Sequence, residues 1–136
     1  FKITLFNTKD NDKKRVGEND RSLGVLLEKN GTKIFLAGDI DNFSGDEKRL
    51  APQIGKIDLL KVGHHSYRGS TSVCWLKTLK PNTCIVTNRH KGADKRTLFK
   101  IKLFAHSDIF ITGTENGIIA AVGDNGQIEY FNNIHR

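Results

Sequence analysis

Between Ile34 and Ser66 two short apolar runs each end in a polar cluster, and this repeated shape limits the chain more than any other feature. The first run, Ile34-Phe35-Leu36-Ala37, leads into Gly38-Asp39-Ile40-Asp41-Asn42. The second, Ile57 to Val62, leads into Gly63-His64-His65-Ser66. Short apolar runs closed by glycine read as buried strands. As neighbours in one sheet, their ends bring a carboxylate beside an imidazole, the makings of a metal-ligand pair or an acid/base pair. Ser44 to Ile54, between the runs, predicts a short helix capped by Ser44, with Leu50 and Ile54 on its inner side.

The flanks extend the same sheet. Phe1 to Phe6 alternates apolar and polar residues as a half-buried strand does, and Asn7 to Asp20 reads as an exposed charged loop. Ser22 to Glu28 and Lys33 to Ala37 form a hairpin about Asn30-Gly31, the strongest turn signal in the chain. Ser70 to Leu79 predicts a helix capped by Ser70, Thr71 or Ser72 and stopped before Pro81. Thr83 to Thr87 predicts a buried strand, and Asp94 to Phe104 a helix with Leu98, Ile101 and either Leu103 or Phe104 inward. Three closing strands follow over 108–112, 117–122 and 127–131, and Gly113 to Gly117 is a turn. The order β-β-β-α-β-α-β-α-β-β-β describes an α/β domain, a mixed β-sheet layered with helices. Ligands gather at strand C-terminal ends in such sheets, where Asp39, Asp41, His64 and His65 all fall.

At 136 residues the chain is read as a single domain. It opens on Phe1 and enters a strand at once, the expectation for a piece of a longer protein. The net charge of +7 is spread along the chain, which fits a solvated surface as well as a polyanionic partner. Cys74 and Cys84 fit no zinc-knuckle or redox spacing, and the sequence leaves them either paired or free. No apolar run approaches the ~18 residues of a membrane span.

Asp39 offers two oxygens and so can bridge two ions. A ligating histidine binds through one nitrogen while a neighbour holds the other. On an extended segment His64 and His65 point to opposite sides, so one of them is expected to ligate. As alternatives, Asp39 is a turn residue and Ser66 a cap. Asp41 and Asn42 read as turn or cap residues. Tyr67 and Arg68 are pocket-lining candidates, His90 a proton donor or a surface residue, and His106 and His135 structural or exposed. Asp58 is either a carboxylate orienting a histidine or a strand-edge residue.

Leu36-Ala37-Gly38-Asp39, followed by Leu60-Lys61-Val62-Gly63-His64-His65-Ser66, resembles the second half of a metallo-β-lactamase-superfamily hydrolase. Asn19 to Val25 and Leu79-Lys80-Pro81 fit the same pattern. Two branches resemble the chain. One is the C-terminal domain of ComEC-type DNA-uptake proteins, with Gly-Asp and His-His-Gly-Ser motifs. The other is phosphorylcholine esterase, matched by Gly38-Asp39-Ile40-Asp41-Asn42 and Ile54 to Lys61, and this match is the tighter of the two.

The resemblance implies the C-terminal half of an αββα sandwich and a zinc-dependent hydrolase acting on a phosphoester through metal-activated water. Asp39 would bridge the metals. His65, ahead of His64, would ligate the second one. Where the superfamily has another histidine this chain has Glu18-Asn19-Asp20, leaving Asn19 or Asp20 as a substitute oxygen ligand. The superfamily's His-x-His-x-Asp-His motif is absent from the chain. The implied partners are therefore a missing N-terminal half of the same fold, a small phosphoester and nucleic acid. An apolar face left open would favour a homodimer. The branches imply an extracellular or cell-surface setting. The isolated chain is expected to bind zinc weakly or not at all and to be inactive. The rival readings are a ComEC-like DNA-binding or DNA-processing domain, argued against by the few aromatics on the predicted loops, and a degenerate, non-catalytic member.

Overall fold

A computed structural model describes residues 1–8, 17–89 and 91–132, with the side chain of Asp20 outside the described set. His90 and His135 therefore lie outside it, as does the middle of the predicted 7–20 loop. Strands β1 (Lys2–Phe6), β2 (Gly24–Lys29), β3 (Thr32–Leu36), β4 (Leu59–Lys61), β5 (Thr83–Val86) and β6 (Asp108–Ile111) form one mixed sheet in sequence order. The first three are antiparallel neighbours, and β3 to β6 run parallel. Helices α1 (Asp46–Ile54), α2 (Val73–Leu79) and α3 (Lys95–Phe104) make the parallel crossovers. A single helical turn, α4 (Thr112–Glu115), sits where a turn is predicted. The hairpin β7 (Ile118–Val122) and β8 (Ile128–Asn132) forms a separate two-stranded sheet rather than closing the main one.

The register assigns every sheet residue to one of two faces, because side chains alternate along a strand. Leu26, Phe35, Leu60, Cys84 and Val86 share the helix-covered face and are buried with Leu50 and Ile54 of α1, Trp75, Leu76 and Leu79 of α2 and Ile101 of α3. Phe35 packs edge-to-face against Phe6 and Trp75 at 5.9 and 5.6 Å. The opposite face carries Ile3, Leu5 and Leu36, which are 56%, 53% and 38% exposed. The alternation in β1 is real, but its apolar side points away from the helices. The β7–β8 hairpin covers part of this second face. Phe110 packs against Tyr130 at 5.3 Å, Lys29 and Asn30 donate to Val122 O and Asp124 O, and the Thr32 hydroxyl donates to Gly126 O.

Local chemistry explains the element ends. Asn30 and Gly31 both take positive φ, as a two-residue hairpin turn requires. Ser72 accepts from Trp75 N–H and Asp94 from Arg96 N–H, capping α2 and α3. Ser44 does not cap α1. Gly45 is its left-handed N-cap, and the first-turn carboxylates Asp46 and Glu47 are buried. Glu47 reaches across to α2, where both its oxygens accept backbone N–H groups of Thr71 and Ser72. Burial pushes its carboxyl above the ordinary value, against those donors and Lys100, which act the other way. At the inner end of α3 Phe104 packs on the core while Leu103 stays exposed. Asn7, predicted in an exposed loop, is buried and donates to Ser22 O at 2.9 Å.

Candidate functional site

The C-terminal ends of four parallel strands build the site. Asp39 follows β3, the two histidines follow β4, Thr87 and Asn88 follow β5, and Thr112 follows β6. A close backbone approach holds the first two ends together. His64 N–H donates to Gly38 O at 3.1 Å, and a Cβ at Gly63 would collide with the carbonyl oxygen of Ile40. Lys61 Nζ also donates to Gly38 O, at 2.7 Å. Burial holds the Lys61 ammonium below the usual lysine value, and the nearby Asp39 carboxylate acts in the opposite sense. Asp39 N–H donates to the Ser22 hydroxyl, which fixes the start of the loop.

The histidines are not on an extended segment. His64, His65 and Ser66 have φ of 44°, 52° and 61°, three successive non-glycine residues in the left-handed region. Such a conformation costs about 1–2 kcal/mol per residue, so surrounding contacts must enforce it. Buried Ser66 accepts from Asp94 N–H at the start of α3, and Asn88 Nδ2 donates to His65 O at 2.8 Å. The expected opposition of the two rings is replaced by a turn in which each ring faces its own aspartate. Tyr67 packs edge-on to both, with ring centroids 5.4 Å from His64 and 6.5 Å from His65.

His65 Nε2 stands 3.4 Å from Asp39 Oδ1, and both side chains are a little over two-fifths exposed. Its other nitrogen, Nδ1, lies 2.7 Å from Thr87 O and 3.0 Å from Thr87 Oγ1. A carbonyl oxygen can only accept, so Nδ1 carries a proton, and Nε2 is the ring nitrogen on the side of Asp39. Thr87 sets this tautomer, a role that the sequence gives no sign of, since the residue reads only as the end of a strand.

His64 belongs to a different cluster. Its Nδ1 lies 3.8 Å from Oδ2 of Asp41, whose side chain is 3% exposed. Asn19 Nδ2 donates to the same Asp41 oxygen and lies 3.1 Å from His64 Nδ1. The other Asp41 oxygen accepts from Phe43 N–H, so Asp41 is the turn residue that its sequence setting suggests. Asn19, a candidate ligand from its position, is tied into this cluster. Asp58 lies at the opposite end of the sheet, where it accepts from Lys33 N–H and Asn82 Nδ2. It therefore ties strand starts together and orients neither histidine.

Among the described residues no group of three or more His, Cys, Asp or Glu side chains is arranged to hold a metal ion. Asp39 and His65 form a pair, and the side chain of Asp20 lies outside the described set. An open cleft of about 610 Å³ lies beside His65, lined by Thr87, Asn88, Arg89 and Thr112 among others. Among the described residues no helix is long and apolar enough to cross a membrane. Cys74 and Cys84 are both free thiols, one exposed and one buried.

No family model matches the chain. It is 32% identical to ComE operon protein 3 of Bacillus subtilis over 107 residues, 75% of this chain and 13% of that protein. It is also 32% identical to Recombination protein 2 of Haemophilus influenzae over 71 residues, 52% of this chain and 9% of that protein. The chain thus spans a small fraction of either relative. Both fit the ComEC-type branch, the looser of the two by its motif segments, better than the phosphorylcholine esterase branch.

Proposed function

We propose that this chain serves a ComEC-like protein in handling DNA, and that Asp39 and His65 form one side of a metal-dependent site that hydrolyses phosphodiester bonds. One observation carries the metal reading: the 3.4 Å separation of Asp39 Oδ1 and His65 Nε2. A tetrahedral zinc ion with bonds of about 2.0–2.2 Å separates two of its donors by about 3.3 Å. The pair is spaced for one ion, and Thr87 already holds the histidine in the ligating tautomer. Zinc bound there would bring a water's pKa near neutrality.

The chain's own residues hold and orient. Asp39 would supply a carboxylate oxygen to such an ion. His65 supplies nitrogen, and the Gly63 approach keeps the two ends at bonding distance. Zinc sites use at least three protein ligands, so the pair needs others. On this reading they come from a His-x-His-x-Asp-His segment in another half of the fold. That half would also cover the open face of Ile3, Leu5 and Leu36; in its absence a second copy of the chain would compete for the face.

The DNA reading is supported by the match to ComE operon protein 3, by the name of Recombination protein 2 and by the charge of +7. Two measurements separate its parts. The chain should bind DNA at low salt, with affinity falling steeply as salt rises; no binding at low salt removes the DNA reading. A longer protein carrying the upstream histidines should cleave DNA in a chelator-sensitive way and lose that activity in Asp39→Ala and His65→Ala. Undiminished cleavage by these variants removes the metal reading.

A further inference from the structure

Two aromatic side chains on the loops that carry Asp39 and the histidines are left in solvent. Phe43 is 73% exposed and Tyr67 51% exposed, whereas Phe35 and Trp75 are buried. The loops that carry them are joined: Asn42 N–H donates to Gly69 O at 3.0 Å, and the Phe43 ring lies over Gly69, where any Cβ would collide with it. The backbone at both positions is also held. Phe43 N–H is fixed by buried Asp41, and the Tyr67 carbonyl accepts from both the amide and the hydroxyl of buried Ser70. Exposed aromatic faces on loops whose backbone is fixed by buried polar groups make a poor core and a good stacking surface. The cleft with Arg89 and Thr112 is lined by Thr87 and Asn88, the residues that hold His65.

Resting on the DNA reading above, we infer that Phe43 and Tyr67 form a base-stacking platform that selects unpaired nucleotides and lays their backbone across the Asp39–His65 pair. Bases in a duplex are stacked on one another and present no free face to these rings. An unpaired strand offers every base to them, while its phosphates run towards the pair and Arg89. Stacking is sequence-tolerant, so the platform would select strandedness rather than sequence.

The test is fluorescence anisotropy with a labelled oligothymidine and a labelled duplex of the same length, at low salt with chelator present, so that metal plays no part. The wild-type chain should prefer the single strand. Phe43→Ala and Tyr67→Ala should each weaken single-strand binding by about ten-fold and leave duplex binding unchanged. Tyr67→Phe should retain wild-type affinity, because the ring and not the hydroxyl does the stacking. Circular dichroism on each variant checks that it is folded. Equal single-strand affinity in folded alanine variants, or a wild-type preference for duplex, overturns the platform while leaving DNA binding intact. Absence of binding to either probe overturns the DNA reading and the platform with it.

Discussion

Two aspartate–histidine pairs lie side by side at the end of one sheet, and they have opposite characters. Asp39 and His65 face each other at 3.4 Å with much of each side chain in solvent. Asp41 and His64 are 3.8 Å apart, and Asp41 is enclosed. The difference comes from the remaining partners. Both oxygens of Asp41 are occupied by Asn19 Nδ2 and Phe43 N–H. His65 gives its Nδ1 proton to Thr87 and leaves Nε2 open. Identical residue types, two positions apart on one strand end and adjacent on the other, are thus divided between an enclosed pair and an open one by what their second atoms touch.

The comparison breaks most completely at Gly63. Gly63→Ala drives a methyl group into the Ile40 carbonyl oxygen. We expect a loss of about 3 kcal/mol in chemical denaturation and disruption of both pairs together. Asp41→Ala should separate them. It removes the buried carboxylate that accepts from the Phe43 N–H and the Asn19 amide, so stability should fall by about 2 kcal/mol. Asp39→Ala removes a half-exposed carboxylate and should change stability by no more than about 0.5 kcal/mol, while abolishing any zinc response. Equal destabilisation by Asp39→Ala and Asp41→Ala would erase the distinction. The finest probe is thiol labelling. Cys74 is exposed, whereas burial pushes the Cys84 thiol up to about 12. A disulfide reagent should modify one thiol in the native chain and in Asp39→Ala, and both in Gly63→Ala.

Much of this was legible from residue order. The Asn30-Gly31 hairpin, the run of crossover helices and the placing of Asp39 and His65 at strand ends follow from apolar runs and turn chemistry. What escaped is what depends on contacts distant in sequence. Nothing local to Thr87 announces that its carbonyl will meet His65, nor does Glu47 announce that it will bind the start of α2. The left-handed turn at His64, His65 and Ser66 was illegible because such strain is enforced from outside, here by Asp94 N–H and Asn88. Alternation in β1 revealed a strand but not which side faced the helices, since period two is blind to the direction of the core. The exposure of Phe43 was likewise hidden, because an aromatic between Asn42 and Ser44 reads equally well as an anchor turned inward.

The most direct test of the central claim is long-range 1H–15N NMR of the histidine side chains during zinc titration. In the folded chain before zinc, His65 should carry a proton on Nδ1, held by Thr87. Zinc should shift the His65 Nε2 resonance, weakly and reversibly, and leave His64 unmoved. Asp39→Ala should remove the shift, and Asp41→Ala, if folded, should keep it. A zinc response centred on His64, or one at His65 that survives Asp39→Ala, would contradict the division of the two pairs into ligand and scaffold.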